Sequence, residues 1–182
     1  NVTIYPYVEL GMMEFMRELQ WQCYNKHQLS VYEKDGVLIY RYGVENQPKP
    51  DETPLVYFAS DAPAAGFDCD RDEFVGSYRS EEAPVGLERE HLKNSTLFGG
   101  DPCFALELPL TLRAGETKSL NIYLGTEMTE SEISKSLAAC KAPDFFTASM
   151  QKLAATWEDF FSGFQCSLPD KDAETMINIW NP

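Results

Sequence analysis

Leu29-Ser30-Val31-Tyr32-Glu33-Lys34-Asp35-Gly36-Val37-Leu38-Ile39-Tyr40-Arg41-Tyr42 is the stretch that settles the fold class. Two runs rich in β-branched and aromatic residues, Leu29 to Glu33 and Val37 to Tyr42, flank Lys34-Asp35-Gly36. Asp-Gly supplies the positive φ that a tight hairpin turn requires. The chain is therefore expected to fold back here as an antiparallel pair.

Outward from this hairpin the strand signals continue. Val2 to Leu10 is β-branched and aromatic, with Pro6 marking an edge or bulge. Met12, Phe15, Met16 and Leu19 fall at i, i+3, i+4 and i+7, which predicts a short amphipathic helix around Met12 to Tyr24. Pro48, Pro50 and Pro54 make a loop before another strand, Leu55 to Ser60. Asp61 to Gly100 is long, punctuated by Gly and Pro, and without periodicity over most of its length, the pattern of a functional loop; Phe67, Phe74, Tyr78 and Phe98 argue against disorder. Cys103 to Leu112 and Lys118 to Leu124 alternate about the turn Arg113 to Glu116, which predicts a closing hairpin and an end to the β-region near Gly125.

Beyond that point the period changes. Thr129 with Glu132 has capping-box spacing, Pro143 opens a longer helix through Phe145, Phe146, Met150, Leu153, Trp157, Phe160 and Phe161, and a further helix starts at Asp170. Strands followed by helices imply a mainly β protein, an antiparallel β-sandwich with a helical extension, and not an alternating α/β fold. The wide aromatic stripe on the Pro143 helix is expected to pack in a core or against a neighbouring domain.

Composition narrows the function. The 43% hydrophobic content belongs to a folded protein, and a formal net charge of −14, from 29 acidic and 15 basic residues, repels phosphodiester backbones and anionic lipid. Nucleic acid and membrane are excluded as expected partners, whereas a neutral sugar meets no such repulsion. Five cysteines, odd in number and widely spaced, read as reduced thiols in a cytoplasmic protein, and His27 and His91 stand without zinc-ligand neighbours. No signal peptide or long apolar run is present and the first residue is not methionine, so the chain is expected to be part of something larger.

Several blocks in order then carry a resemblance: Ser60-Asp61, Gly66-Phe67-Asp68, Arg71-Asp72-Glu73-Phe74-Val75-Gly76-Ser77-Tyr78-Arg79, Asn94-Ser95, Gly100-Asp101-Pro102-Cys103 and Gly115-Glu116-Thr117-Lys118. Together they resemble the N-terminal region of the cellobiose, cellodextrin, cellobionic acid and chitobiose phosphorylases. Met176-Ile177-Asn178-Ile179-Trp180-Asn181-Pro182 is similar to the segment that opens their (α/α)6 catalytic barrel. The resemblance implies an incomplete super-sandwich over residues 1–126, a helical linker over 127–168 and the truncated start of the barrel over 169–182. Glu14 to His27 departs from the cellobiose enzymes, which leaves laminaribiose, cellobionic acid, β-1,2-linked oligoglucans and chitobiose open as substrates beside cellobiose.

The same resemblance implies inverting phosphorolysis of a β-linked saccharide, with inorganic phosphate as co-substrate, no cofactor and no metal. The general acid is an aspartate of the barrel, outside this chain. The sandwich of a homodimer is expected to send its Arg-Asp-x-Phe loop toward the partner's active site. Arg71 is the expected donor to the acceptor sugar, with Asp72, Phe74, Tyr78 and Arg79 around it; a salt bridge from Arg71 to Asp68 or Asp72 is the alternative. Phe74 and Tyr78 either stack on sugar or anchor the loop to the core. Asp68, Asp70, Asp72, Glu81 and Glu82 are expected to brace the loop or face solvent, and Cys69, between Asp68 and Asp70, is expected to be unreactive. Two other readings stay open: a non-catalytic carbohydrate-binding sandwich, and a domain of a cyclic β-glucan synthase.

Overall fold

The computed structural model describes residues 1–11, 27–43 and 53–180. Its contacts divide the chain into two units, residues 1–135 and 136–182. The helix expected around Met12 to Tyr24 lies outside the described residues.

The first unit is built on two antiparallel sheets. One has the order β7-β3-β4-β5-β9, from Leu97–Phe98, Leu29–Lys34, Val37–Tyr42, Leu55–Ser60 and Ile122–Glu127. The expected hairpin is β3 and β4, paired from Leu29↔Tyr42 to Lys34↔Val37. Its turn has Asp35 at φ 53° and Gly36 at φ 79°, both left-handed as the Asp-Gly signal requires, and Glu33 Oε1 accepts from the Gly36 amide at 2.7 Å.

The second sheet is organised by β8 (Pro102–Leu110). Pro6 breaks the first segment into β1 (Val2–Ile4) and β2 (Tyr7–Glu9), which follow one another along one edge of β8. β6 (Gly66–Asp70) takes the other edge, since Ala105 pairs with both Tyr7 and Asp68.

The core between the sheets follows from strand alternation. Val31, Leu38, Tyr40, Val56 and Phe58 meet Phe104, Leu106 and Leu108, with the Phe58 and Phe104 rings stacked at 5.7 Å and 6°. Burying each of these large side chains contributes about 2 kcal/mol. Alternate residues of β8 face the opposite way, and there Cys103 and Ala105 are buried with Phe74, Val75 and Leu92. One strand thus has both faces covered, the second by residues expected to form only a loop. On the outer face of the five-stranded sheet, Tyr32, Ile39, Tyr57 and Gly125 stand in one row by register, and a Cβ at Gly125 would lie 2.5 Å from the Tyr57 hydroxyl.

Two expectations are corrected. The segments Cys103 to Leu112 and Lys118 to Leu124 do not form a hairpin: β8 belongs to one sheet, while β9 pairs with β5 in the other, from Leu55↔Glu127 to Ser60↔Ile122. The turn at Arg113 to Glu116 does form, with the Glu116 amide 3.0 Å from Arg113 O, but it lies inside a crossover between sheets. Asp61 to Gly100 is not one loop either. It contains β6, a one-turn helix α1 (Arg71–Phe74), a 3-10 turn (Val85–Glu88) and β7. Its strand escaped the period test because Asp68 and Cys69, adjacent and unlike in polarity, are both buried.

The helices agree with their signals. α2 (Glu130–Cys140) starts with the Glu132 amide bonded to Thr129 Oγ1 at 3.2 Å, and its Glu130 accepts from the Tyr32 hydroxyl at 2.8 Å and from Lys34. In the second unit α3 (Phe145–Ser162) buries none of its residues; Trp157 remains 51% exposed and instead stacks on Phe161 at 5.6 Å. α4 (Lys171–Thr175) is capped by Asp170 and runs into a π-helical turn, Met176–Trp180, from which Asn178 bonds both backbone groups of Cys166 at 2.9 Å.

Candidate functional site

Residues 66–95 fold over the outer face of β8, and the sequence explains how. Asp70 ends β6 in extended conformation and accepts from the Asp72 amide at 2.9 Å, so its carboxylate caps α1. The helix lasts one turn, after which Gly76 at φ 97° reverses the chain. The return is pinned at the base, where the Val85 amide bonds Val75 O at 3.0 Å and Gly86 lies against Phe74 so closely that a Cβ would meet the ring at 2.8 Å. Phe74 itself is 3% exposed and stacks on Tyr7 at 4.9 Å and 22°. Of the two roles open to this residue, the geometry gives the anchor: no ring face is left for a ligand.

Arg71 leads the helix. Its Nε donates to Glu9 Oε1 at 2.7 Å and its Nη2 to Glu81 Oε1 at 2.6 Å, not to Asp68 or Asp72. Glu9 Oε1 also accepts from the Tyr7 hydroxyl at 2.7 Å, so a strand of one sheet, the helix and the far side of the arch share one network. The two carboxylates raise the Arg71 pKa, Glu9 first, and Glu81 is held below its ordinary value by its own backbone amide and by Arg71. The guanidinium keeps 27% of its surface open, and two of its five N–H groups are engaged with these partners.

The outer turn of the arch carries the other candidates. Tyr78 has φ 63°, left-handed for a bulky side chain, and is fully exposed. Such a conformation costs about 1–2 kcal/mol, and here no packing offsets it. Arg79 is bound to Glu88 and reaches Ala83 O at 3.5 Å, with 41% of its side chain open. Asp72 is exposed beside Arg71. The structure therefore brings Arg71, Asp72, Tyr78 and Arg79 to the outside of one arch and withdraws Phe74 into its foundation.

Beneath the arch lie charges that composition alone does not single out. Asp68 is wholly buried; its Oδ1 accepts from the Ser95 amide at 3.1 Å, and burial raises its pKa while Ser95 and Arg89 pull it down. Arg89 Nη1 stands 3.8 Å from Asp68 Oδ2, and Arg89 Nη2 stands 3.5 Å from Glu73 Oε2, which also binds Lys93. Glu107, on the outward face of β8 and nearly buried, accepts from the Leu92 amide at 2.9 Å and lies 2.8 Å from His91 Nδ1. Burial, more than the neighbouring carboxylates, pushes the thiols of Cys69 and Cys103 well above their ordinary range, which leaves them unreactive. Among the described residues no group of His, Cys, Asp and Glu could hold a metal ion, and no helix is long and apolar enough to cross a membrane.

Residues 1–143 match the family model of the glycosyl hydrolase 94 supersandwich domain. The chain is similar to an N,N'-diacetylchitobiose phosphorylase of Vibrio furnissii, 26% identical over 185 residues, which covers 99% of this chain and 22% of that protein. It is similar to a 3-O-beta-D-glucopyranosyl-beta-D-glucuronide phosphorylase of Paenibacillus borealis, 28% identical over 130 residues, 71% of this chain and 17% of that protein. A cyclic beta-(1,2)-glucan synthase of Rhizobium meliloti is 32% identical over 127 residues, 69% of this chain and 4% of that protein. The chain spans less than a quarter of the length of each of these relatives.

Proposed function

Since this chain belongs to the glycosyl hydrolase 94 family, as its supersandwich domain, we propose that it is part of an inverting glycoside phosphorylase that cleaves a β-linked gluco-saccharide with inorganic phosphate. A phosphate oxygen attacks the anomeric carbon as the glycosidic C–O bond breaks, and a carboxylic acid donates its proton to the leaving oxygen, giving an α-sugar 1-phosphate and the shortened acceptor. Phosphate is already anionic, so one general acid suffices where an inverting hydrolase needs a second carboxylate to activate water. That acid lies on a barrel domain outside this chain. No metal or cofactor takes part, and the enzyme works in the cytoplasm as a homodimer.

This chain's share is the acceptor side. Arg71 donates to acceptor hydroxyls across the dimer interface, held in place by Glu9 and Glu81, while Tyr78 and Arg79 face the same sugar and Asp72 accepts from it. The observation that carries the reading is a partly open, two-point-anchored guanidinium on the same segment as a fully exposed tyrosine on a strained backbone. The chitobiose phosphorylase likeness, which runs over 99% of the chain, supports the reaction class. Phosphate release from α-glucose 1-phosphate by the full-length protein, with glucose, gluconate, cellobiose, laminaribiose and N-acetylglucosamine as acceptors, tests it. Release with one acceptor names the substrate; silence with all of them from a folded dimer removes the gluco-donor and leaves another donor sugar or a non-catalytic sandwich.

The second reading is a domain of a cyclic β-glucan synthase, favoured by the 32% identity to the Rhizobium meliloti protein. Membrane spans elsewhere in the full-length protein, with no phosphate release, would select it.

A further inference from the structure

The arch of residues 75–90 is fastened by the backbone bond of Val85 to Val75, by Gly86 against Phe74, and by the exposed ion pairs Arg71 with Glu81 and Arg79 with Glu88, whereas its end is held by a buried charge. Arg89 closes the 3-10 turn, its amide 3.4 Å from Gly86 O, and its side chain turns inward to Asp68, a carboxylate with 0% exposure. Asp68 Oδ2 and Arg89 Nη1 are both buried and face one another at 3.8 Å, an ion-pair distance, and neither has a hydrogen-bond partner among the described residues. An ionised group in such a place is costly unless an opposite charge answers it. Each of these two groups is therefore held by the other's presence, and displacing Arg89 would strand Asp68.

Asp68 is also tied into the sheet. It sits within β6, it forms a parallel bridge with Ser95, and its carbonyl accepts from Cys103 Sγ at 3.8 Å. Arg89 in turn meets Glu73 at 3.5 Å, and Glu73 binds Lys93, so the two anions and two cations bind β6, α1 and the segment leaving the arch into a neutral cluster. Asp68 is the one wholly buried charge of the cluster.

We infer that Asp68 is a positioning residue: through Arg89 it sets where the arch stands, and so where Tyr78 and Arg79 meet the acceptor sugar. The inference rests on the phosphorylase reading for its sugar and on the geometry alone for its arch. Asp68 touches no substrate. It acts on acceptor affinity through the placement of groups that do.

The test uses Asp68→Asn and Arg89→Gln, singly and together, in the full-length protein. Asp68→Asn keeps the size and the Ser95 contact while removing the charge; Arg89→Gln leaves Asp68 in place and serves if the first variant does not fold. Hydrogen exchange of peptides from residues 76–92 is expected to quicken about tenfold in either variant, with peptides of β3, β4 and β5 unchanged. The acceptor KM is expected to rise about tenfold while kcat and the phosphate KM stay within about twofold, and the double variant should add little to either single one. Unchanged exchange at 76–92 overturns the inference whatever the enzyme's reaction. Faster exchange spread through both sheets, with acceptor KM unmoved, also overturns it and makes Asp68 a fold residue only. Local loosening of the arch in the variants, when the wild type is silent with every acceptor and with other sugar 1-phosphates, removes the phosphorylase reading and keeps the positioning of the arch.

Discussion

Arg71 Nε lies 2.7 Å from Glu9 Oε1, a pair 62 residues apart in sequence that joins the one-turn helix to the edge strand β2. Replacing Glu9 by Gln keeps a hydrogen-bond acceptor and removes the charge that orients the guanidinium. Acceptor KM in the full-length protein should rise about threefold, the scale of a partly exposed ion pair, with kcat little changed. Arg71→Ala should raise it further, and initial rates over an acceptor series check both.

Tyr78 holds a left-handed backbone with its ring in solvent. Tyr78→Gly should therefore raise the thermal midpoint slightly, the gain of relieving about 1 kcal/mol of strain, while weakening acceptor binding. A fall in the midpoint would show that the ring is packed.

Gly86 has no room for a methyl group, since a Cβ would stand 2.8 Å from the Phe74 ring and 3.1 Å from Phe74 O. The backbone oxygen cannot swing away as a side chain can. Gly86→Ala should destabilise by about 1–3 kcal/mol in chemical denaturation and speed proteolysis within residues 76–92.

His91 sits beside Glu107, and its pKa is raised first by that hydrogen bond and then by the charges of Glu107 and Glu90. A raised folded value means that the contribution is whole below the unfolded pKa of about 6.5 and fades as pH rises through the folded value. Thermal midpoints from about pH 5.5 to 8.5 should fall more steeply for wild type than for His91→Gln.

Cys69 and Cys103 are buried, whereas Cys140 and Cys166 are partly open. In the folded protein a thiol reagent, mapped by mass, should modify Cys140 and Cys166 first and reach Cys69 and Cys103 only on unfolding.

What the sequence discloses depends on how local the cause is. The β3–β4 hairpin is legible because Asp35-Gly36 dictates its own turn, and α2 because Thr129 and Glu132 cap it within one turn. The partner of β8 is not, since alternation says that a segment is a strand but not which sheet receives its neighbour, and the crossover sends β9 to β5. Arg71 stands out as a candidate from its motif, yet its partner Glu9 comes from a distant strand that no spacing rule connects to it. Asp68 and Glu107 look like surface charges in sequence and are buried against partners distant in sequence, Arg89 and Ser95 for the one and His91 and Leu92 for the other.

The two-faced burial of β8 means that a single strand answers to two neighbourhoods at once. Phe104, Leu106 and Leu108 are accountable to the opposing sheet, and Cys103, Ala105 and Glu107 to the segment from Phe74 to Leu92. Drift at the odd-numbered positions can therefore reshape the segment that covers this face, while the even-numbered ones keep the sandwich as it was. The sandwich and its cover are written into alternate letters of the same nine-residue strand.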